Sequence, residues 1–254
     1  MSKGIKIFLI CILSIICIAL AITMVFLIKN NLGKVNLNLI DSYEVEVDSV
    51  EKIDIKVGSA DIEIKESSND KILVEYYSNK DNNVRIEYKD KKIIFNDTGR
   101  TEFHFFNIVN KKVVIYVPKA YIGEFELKLG SGNTKSETDL SNNKVRITTG
   151  SGEVKLEKTG DVDISTSSGD IKIDEINQKA DIRVSSGEVY INRLKINENS
   201  KITASSGNIT IRNNESNCYV ETEVSSGDVK VNRSDRKSDI VLKIKTSSGN
   251  IKVD

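Results

Sequence analysis

A short motif recurs through the second half of the chain: small residues, a glycine, then Asp, Asn or Glu, then a brief alternating run. Its glycines are Gly132, Gly152, Gly169, Gly187, Gly207, Gly227 and Gly249, spaced 20, 17, 18, 20, 20 and 22 residues apart. A near-constant period in this range marks a repeat architecture, and it constrains the fold before any single residue is considered.

The unit Gly187-Glu188-Val189-Tyr190-Ile191-Asn192 shows how one repeat is built. Val189 and Ile191 alternate with polar neighbours, the period of a half-buried strand. A second alternating run, Ile182 and Val184, precedes the glycine. Val184 and Val189 are five positions apart, so one straight strand would point them to opposite faces. For both to reach a core the chain must bend between them, and glycine is the residue that tolerates the bend. The repeats therefore predict an all-β fold, a β-solenoid of parallel coils of about 20 residues stacked at ~4.8 Å. The alternative is an antiparallel β-meander or sandwich, with each Ser-Ser-Gly-Asp a hairpin turn.

Residues Ile7–Ile28 carry no charge. Twenty-two uncharged, mostly apolar residues suffice for a membrane-spanning helix, which needs ~20. Lys3 and Lys6 before the run favour a cytoplasmic N-terminus, although Lys29 and Lys34 follow it. The expectation is a signal anchor with the repeats outside the cytoplasm. Cleavage as a signal peptide near Ala19-Leu20-Ala21 is the alternative, and the bulky Ile16 argues against a lipoprotein site at Cys17. Cys218 stands alone in the exported part, so no intrachain disulfide framework is expected there.

These boundaries give a tail at 1–6, the membrane segment at 7–28, a linker at 29–42, an irregular β half at 43–129 that caps the stack, and the repeat half at 130–254. Within the cap, Asp61-Ile62-Glu63-Ile64 reads as a degenerate repeat with Ala60 in the glycine place. Phe103–Phe106, around the single histidine His104, forms the densest aromatic patch and reads as a plug over the apolar end or as a contact loop. At the far end Ile251–Asp254 stops within a strand, an unpaired edge open to self-association.

If like stacks on like, outward residues form files. The first runs Asn133, Glu153, Asp170, Glu188, Asn208, Asp228, Asn250, beside a lysine-rich file starting at Lys135 and an acidic one starting at Glu137. Glu153, Asp170 and Glu188 are the one metal candidate, for Ca²⁺, because three carboxylates a strand apart supply oxygen ligands. The adjacent lysines and the lack of a Gly-Gly-x-Gly-x-Asp run weigh against it. Paired carboxylates also serve glycoside hydrolysis, but none departs from its file and no Trp is present to stack a sugar. No histidine lies near the serines, no phosphate loop is present, and Cys and His lack metal-ligand spacing. No catalytic residue and no cofactor is expected. The 37 basic and 37 acidic residues give zero net charge, and with it no field to attract nucleic acid.

Together these features resemble the bacterial β-strand-repeat family called the putative adhesins, a domain of unknown function that includes LiaG-like proteins. The resemblance rests on the single N-terminal apolar segment, Ile53-Asp-Ile-Lys-Val57 with Asp61-Ile-Glu-Ile64, Val117-Pro118 before the first Ser-Gly corner, and the tandem Ser-Ser-Gly-Asp-Val/Ile units. It covers roughly residues 43–254. It implies stacked β-coils at the bacterial cell surface and supplies no catalytic or binding residues. The expected function is a non-enzymatic, membrane-tethered module that contacts the cell wall or an envelope protein. The alternatives are an envelope-stress accessory acting through a neighbouring membrane protein, and a carbohydrate-active solenoid.

Overall fold

Alternation of Val, Ile and Leu with charged residues gives every coil one face to hide, and hiding it requires a neighbour. The computed structural model describes residues 37–80, 83–98 and 109–254, all within the compact unit Leu37–Asp254. The expected membrane segment Ile7–Ile28 and the Phe103–Phe106 patch lie outside the described residues.

The first half contains β1 (Asn38–Glu46), β2 (Lys52–Ser59), β3 (Asp61–Glu66), β4 (Lys71–Ser78), β5 (Ile86–Lys89), β6 (Lys92–Asp97), β7 (Lys111–Val117) and β8 (Glu124–Ser131). Three long strands follow, β9 (Thr134–Ser151), β10 (Val154–Ser168) and β11 (Ile171–Ser186). The remainder are β12 (Val189–Leu194), β13 (Ser200–Ser206), β14 (Ile209–Asn214), β15 (Tyr219–Ser226), β16 (Val229–Val231), β17 (Val241–Ser248) and β18 (Ile251–Val253).

The repeat half is solenoid-like and pairs in parallel throughout, so the meander is excluded there. Val154 lies between Thr134 and Ile171, and Ile164 between Ile147 and Ile182. Like positions therefore lie over one another and the aliphatic files close into one core. Val145, Ile147, Ile164, Ile182, Ile202 and Ile244 are fully buried. At ~25 cal/mol per Å² of apolar surface removed from water, this shared burial is the main favourable term, and no coil secures it alone.

Three expectations are corrected. The linker does not extend to residue 42, because β1 begins at Asn38 and pairs antiparallel with β4. The cap is not the whole of 43–129. Strands β2 and β3 already stack in parallel on β8 and β9, Ser59 opposite Ser131 and Ile62 opposite Thr134, so the coil starts at Ala60. Beyond it lies one more parallel layer, β6 and β7, and only then the antiparallel cover of β5 on β6, β4 on β7 and β1 on β4.

The third correction concerns stacking order. β13 pairs with β17, β17 with β15, β14 with β18, and β18 with β16. In space the corners run Ala60, Gly132, Gly152, Gly169, Gly187, Gly207, Gly249, Gly227, so the last two repeats exchange places relative to the sequence. Ile251–Asp254 is consequently not an edge. Ile251 is 1% exposed and Val253 0%, flanked on both sides. The open edge belongs to β15 and β16, where Val229 is 46% exposed.

Candidate functional site

The corners concentrate the polar side chains that the repeat presents in register. All seven corner glycines have φ between +119° and +144°. At Gly187 an added Cβ would lie 2.3 Å from the carbonyl oxygen of Gly169, so both the backbone angle and the close approach of the next coil require glycine. The close approach has a use. At every glycine corner but Gly227, which ends the stack, the N–H donates to a serine carbonyl of the adjacent coil: Gly152 to Ser168 at 3.2 Å, Gly187 to Ser206 at 3.1 Å, Gly207 to Ser248 at 2.9 Å and Gly249 to Ser226 at 3.0 Å.

On every coil but the outermost, an Asp or Asn that follows the corner residue continues this ladder with its side chain. Asp61 Oδ1 accepts from the Asn133 N–H at 2.8 Å, Asn133 Oδ1 from the Glu153 N–H at 2.9 Å, and Asp170 Oδ1 from the Glu188 N–H at 2.9 Å. Asn208 Oδ1 accepts from the Asn250 N–H at 3.0 Å, and Asn250 Oδ1 from the Asp228 N–H at 2.9 Å. At a bend the backbone N–H leaves the strand ladder, and an Asp or Asn oxygen reaches the N–H of the coil above. This is the physical reason for Asp and Asn in the motif.

Glutamate, one methylene longer, plays another part at the same position. Glu153 accepts from Lys172 Nζ at 2.6 Å, and Glu188 accepts from Asn208 Nδ2 at 3.0 Å. The bond to Glu153 holds the Lys172 ammonium above the usual lysine range. Glu153, Asp170 and Glu188 thus stand on consecutive coils, but their oxygens point into separate bonds. Among the described residues no group of three His, Cys, Asp or Glu side chains is placed to hold a metal ion. The shallow depression beside Glu153 is lined by Asp61, Glu63, Lys135 and Lys155, a set of mixed sign in which Glu63, Lys135 and Glu153 are paired with charges outside it, Lys65 and Lys112, Glu137, and Lys172 respectively.

A second set of charges, on the strands that enter the corners, escaped the sequence reading. Lys52 bridges Glu124 at 3.4 Å and also Glu126; Arg146 bridges Glu124 at 2.7 Å and Asp163 at 3.5 Å; Arg183 reaches Asp163 at 3.5 Å. At the far end Lys243 pairs with Glu221 at 3.1 Å and Lys245 with Glu223 at 2.6 Å. Most of these partners are 20 or more residues apart, so their pairing is invisible until the register is known. Lys128 and Lys52 hold the Glu126 carboxyl down at about 2. Single exposed pairs contribute about 0–1 kcal/mol; a ladder of alternating charge also penalises a slipped register.

One buried polar cluster stands apart. The Tyr76 hydroxyl donates to Asp97 Oδ2 at 2.9 Å and Lys111 Nζ donates to the same oxygen at 2.7 Å. Tyr76 is fully buried and Asp97 5% exposed. The cluster ties the end of β6 to the start of β7 and to β4, and reads as an anchor for that layer. Cys218 is buried, and burial pushes its thiol above the ordinary cysteine range, away from reactivity.

A family model described as Toastrack DUF4097 matches residues 50–254. Nothing among the curated proteins matches. Solved structures similar to this chain include one described as a putative adhesin from Parabacteroides distasonis ATCC 8503, 17% identical, TM-score 0.46, covering 86% of this chain and 97% of that one. Another, described as a putative adhesin from Bacteroides fragilis NCTC 9343, is 16% identical with TM-score 0.44, covering 85% and 97%. A third, described as a putative cell adhesion protein from Clostridium sporogenes ATCC 15579, is 14% identical with TM-score 0.40, covering 86% and 99%. These likenesses are too distant to carry a functional argument.

Proposed function

Because this chain belongs to the Toastrack DUF4097 family, we propose that it is a non-enzymatic β-repeat protein of the bacterial cell envelope that works through adhesion-type contacts. In this reading Ile7–Ile28 anchors it in the cytoplasmic membrane with the N-terminus inside. Residues 37–254 stand outside the cytoplasm and meet a cell-wall or envelope-protein partner along the stack.

One observation carries the reading. The side chains that the repeat delivers in register are spent on the stack: Asp and Asn oxygens cap backbone N–H groups of the next coil, and the charged files pair with one another. A constellation built for chemistry holds its reactive groups free and convergent; these are engaged and spread along a line. The neutral charge balance fits contact with a polar surface better than attraction to nucleic acid.

The test uses the full chain with a C-terminal tag, expressed in a bacterium. Protease added to intact cells should remove the tag, and the detergent-extracted protein should co-sediment with isolated wall or envelope fractions. A tag protected in intact cells overturns the orientation. Absence of binding to every envelope fraction overturns the adhesion reading. A turnover screen on envelope glycans, negative for the wild type, separates it from a carbohydrate-active solenoid.

A further inference from the structure

The segment 241–254 is an insert. It lies between two coils of the same chain, 200–214 and 219–231, in parallel register with both: Ser206 pairs with Ser248 on one side and Ser226 with Ser248 on the other. Leu242, Ile244, Ile251 and Val253 are no more than 1% exposed in this slot. The slot is matched to one sequence by two files of aliphatic side chains and by the pairs Lys243–Glu221 and Lys245–Glu223. Every copy of the chain carries that sequence.

The tether that delivers the insert is residues 232–240. It forms no strand, and Asn232, Arg233, Ser234, Arg236, Lys237 and Asp239 are exposed. Its first part is fastened to the 219–231 coil, with the Asp235 N–H donating to the Cys218 carbonyl at 2.9 Å and the Val220 N–H donating to Ser234 Oγ at 2.9 Å. The stretch 236–240 is then held to that coil and its approach chiefly by Ser238 Oγ donating to the Asn217 carbonyl at 2.7 Å and the Tyr219 N–H donating to the Ile240 carbonyl at 2.8 Å. Extended, these five residues span about 17 Å, several strand spacings.

We propose that 241–254 is exchangeable between copies. While the slot is open during folding, it accepts either its own insert or that of a second molecule, and the second outcome links two stacks at this end by domain swapping. Every core contact and ladder bond made within one chain is remade between chains, so the two forms differ in tether conformation and in the translational freedom lost on association. The balance therefore moves with protein concentration.

Cysteine pairs placed on the serine register test this in the full chain. Ser206→Cys with Ser248→Cys in one molecule should close an internal disulfide, since adjacent strands bring such positions within bridging distance; Ser226→Cys with Ser248→Cys is the second pair. The single variants Ser206→Cys and Ser248→Cys are then unfolded, mixed, refolded together at rising concentration and oxidised. The expected result is a mixed dimer that grows with concentration. It should exceed both the yield from Ser186→Cys mixed with Ser248→Cys, which lie two coils apart, and the background of the chain with its native cysteines alone. Internal closure without mixed dimer above those controls at any concentration overturns exchange. Failure of both internal pairs to close overturns the slot itself.

Discussion

Gly249 lies directly against Gly207, although Gly227 separates them in the sequence. The Gly207 N–H donates to Ser248 at 2.9 Å, and a Cβ on Gly249 would stand 2.2 Å from the Gly207 carbonyl oxygen. The coil carrying Gly227 is displaced to the outer end.

Removing 241–254 should disorder the 219–231 coil, because it has no other parallel neighbour. Hydrogen exchange should show the amides of 219–231 losing protection together with those amides of 200–214 that donate to the removed segment, among them Gly207, Ile209 and Asn214. Protection retained throughout 219–231 would mean that this coil had moved down onto 200–214.

Gly187→Ala should lower stability by on the order of 1–3 kcal/mol, from positive φ and from contact with the Gly169 carbonyl. The urea midpoint measures it. Substituting Ala60 by Gly, at the one corner without a positive φ, should cost less, about 0.5–1 kcal/mol by backbone entropy.

At Asn208, replacement by Ala removes the acceptor for the Asn250 N–H and should cost about 1 kcal/mol. Asn208→Asp keeps the oxygen but replaces the Nδ2 that donates to Glu188 with a second carboxylate, so at high salt, where that repulsion is screened, it should be milder than the alanine. Equal losses for the two would show that the oxygen is not what the position supplies.

Glu126 links stability to acid. Its carboxyl is held at about 2 by Lys128 and Lys52, below the ordinary value of 4.5. A depressed folded-state value means stability that is fully present above about 4.5 and lost as pH falls towards 2. Glu126→Gln should therefore lower the urea midpoint at pH 7, by an amount on the order of 1 kcal/mol after allowance for solvent screening. The difference from the wild type should shrink as pH falls through that window.

Faces are tested by neighbours in one strand. Val189 is 1% exposed and Tyr190 half-buried on the outward side. Val189→Asp should cost ~4 kcal/mol by burying an unpaired charge, and Tyr190→Asp little. Equal urea midpoints would reverse the assignment of faces.

Much of this molecule is local in origin. The alternation in Val189 to Asn192 sets a two-residue period, and the spacing of Gly187 from Gly169 and Gly207 sets the length of a coil. Those two facts lead to an all-β stack with Val and Ile inside. The partners of individual charges were not legible, because Arg146 meets Glu124 and Asp163 only through register. Nor were the carboxylates of Asp61 and Asp170 recognisable as caps rather than ligands, since the N–H groups that they serve belong to other coils.

The order of the last two coils was the least legible of all. Ser225–Val231 and Ser247–Val253 read Ser-Ser-Gly-Asp-Val-Lys-Val and Ser-Ser-Gly-Asn-Ile-Lys-Val, and either makes the same strand and the same corner. Local chemistry is therefore indifferent to which is stacked inside. What discriminates is burial summed over a whole coil. Leu242, Ile244 and Ile251 take the enclosed layer, whereas Val220, Thr222 and Val229, smaller or more polar, take the layer with one side open to water. At ~0.8 kcal/mol per buried methylene the difference amounts to a few kcal/mol. That sum exists only once eight coils share one core.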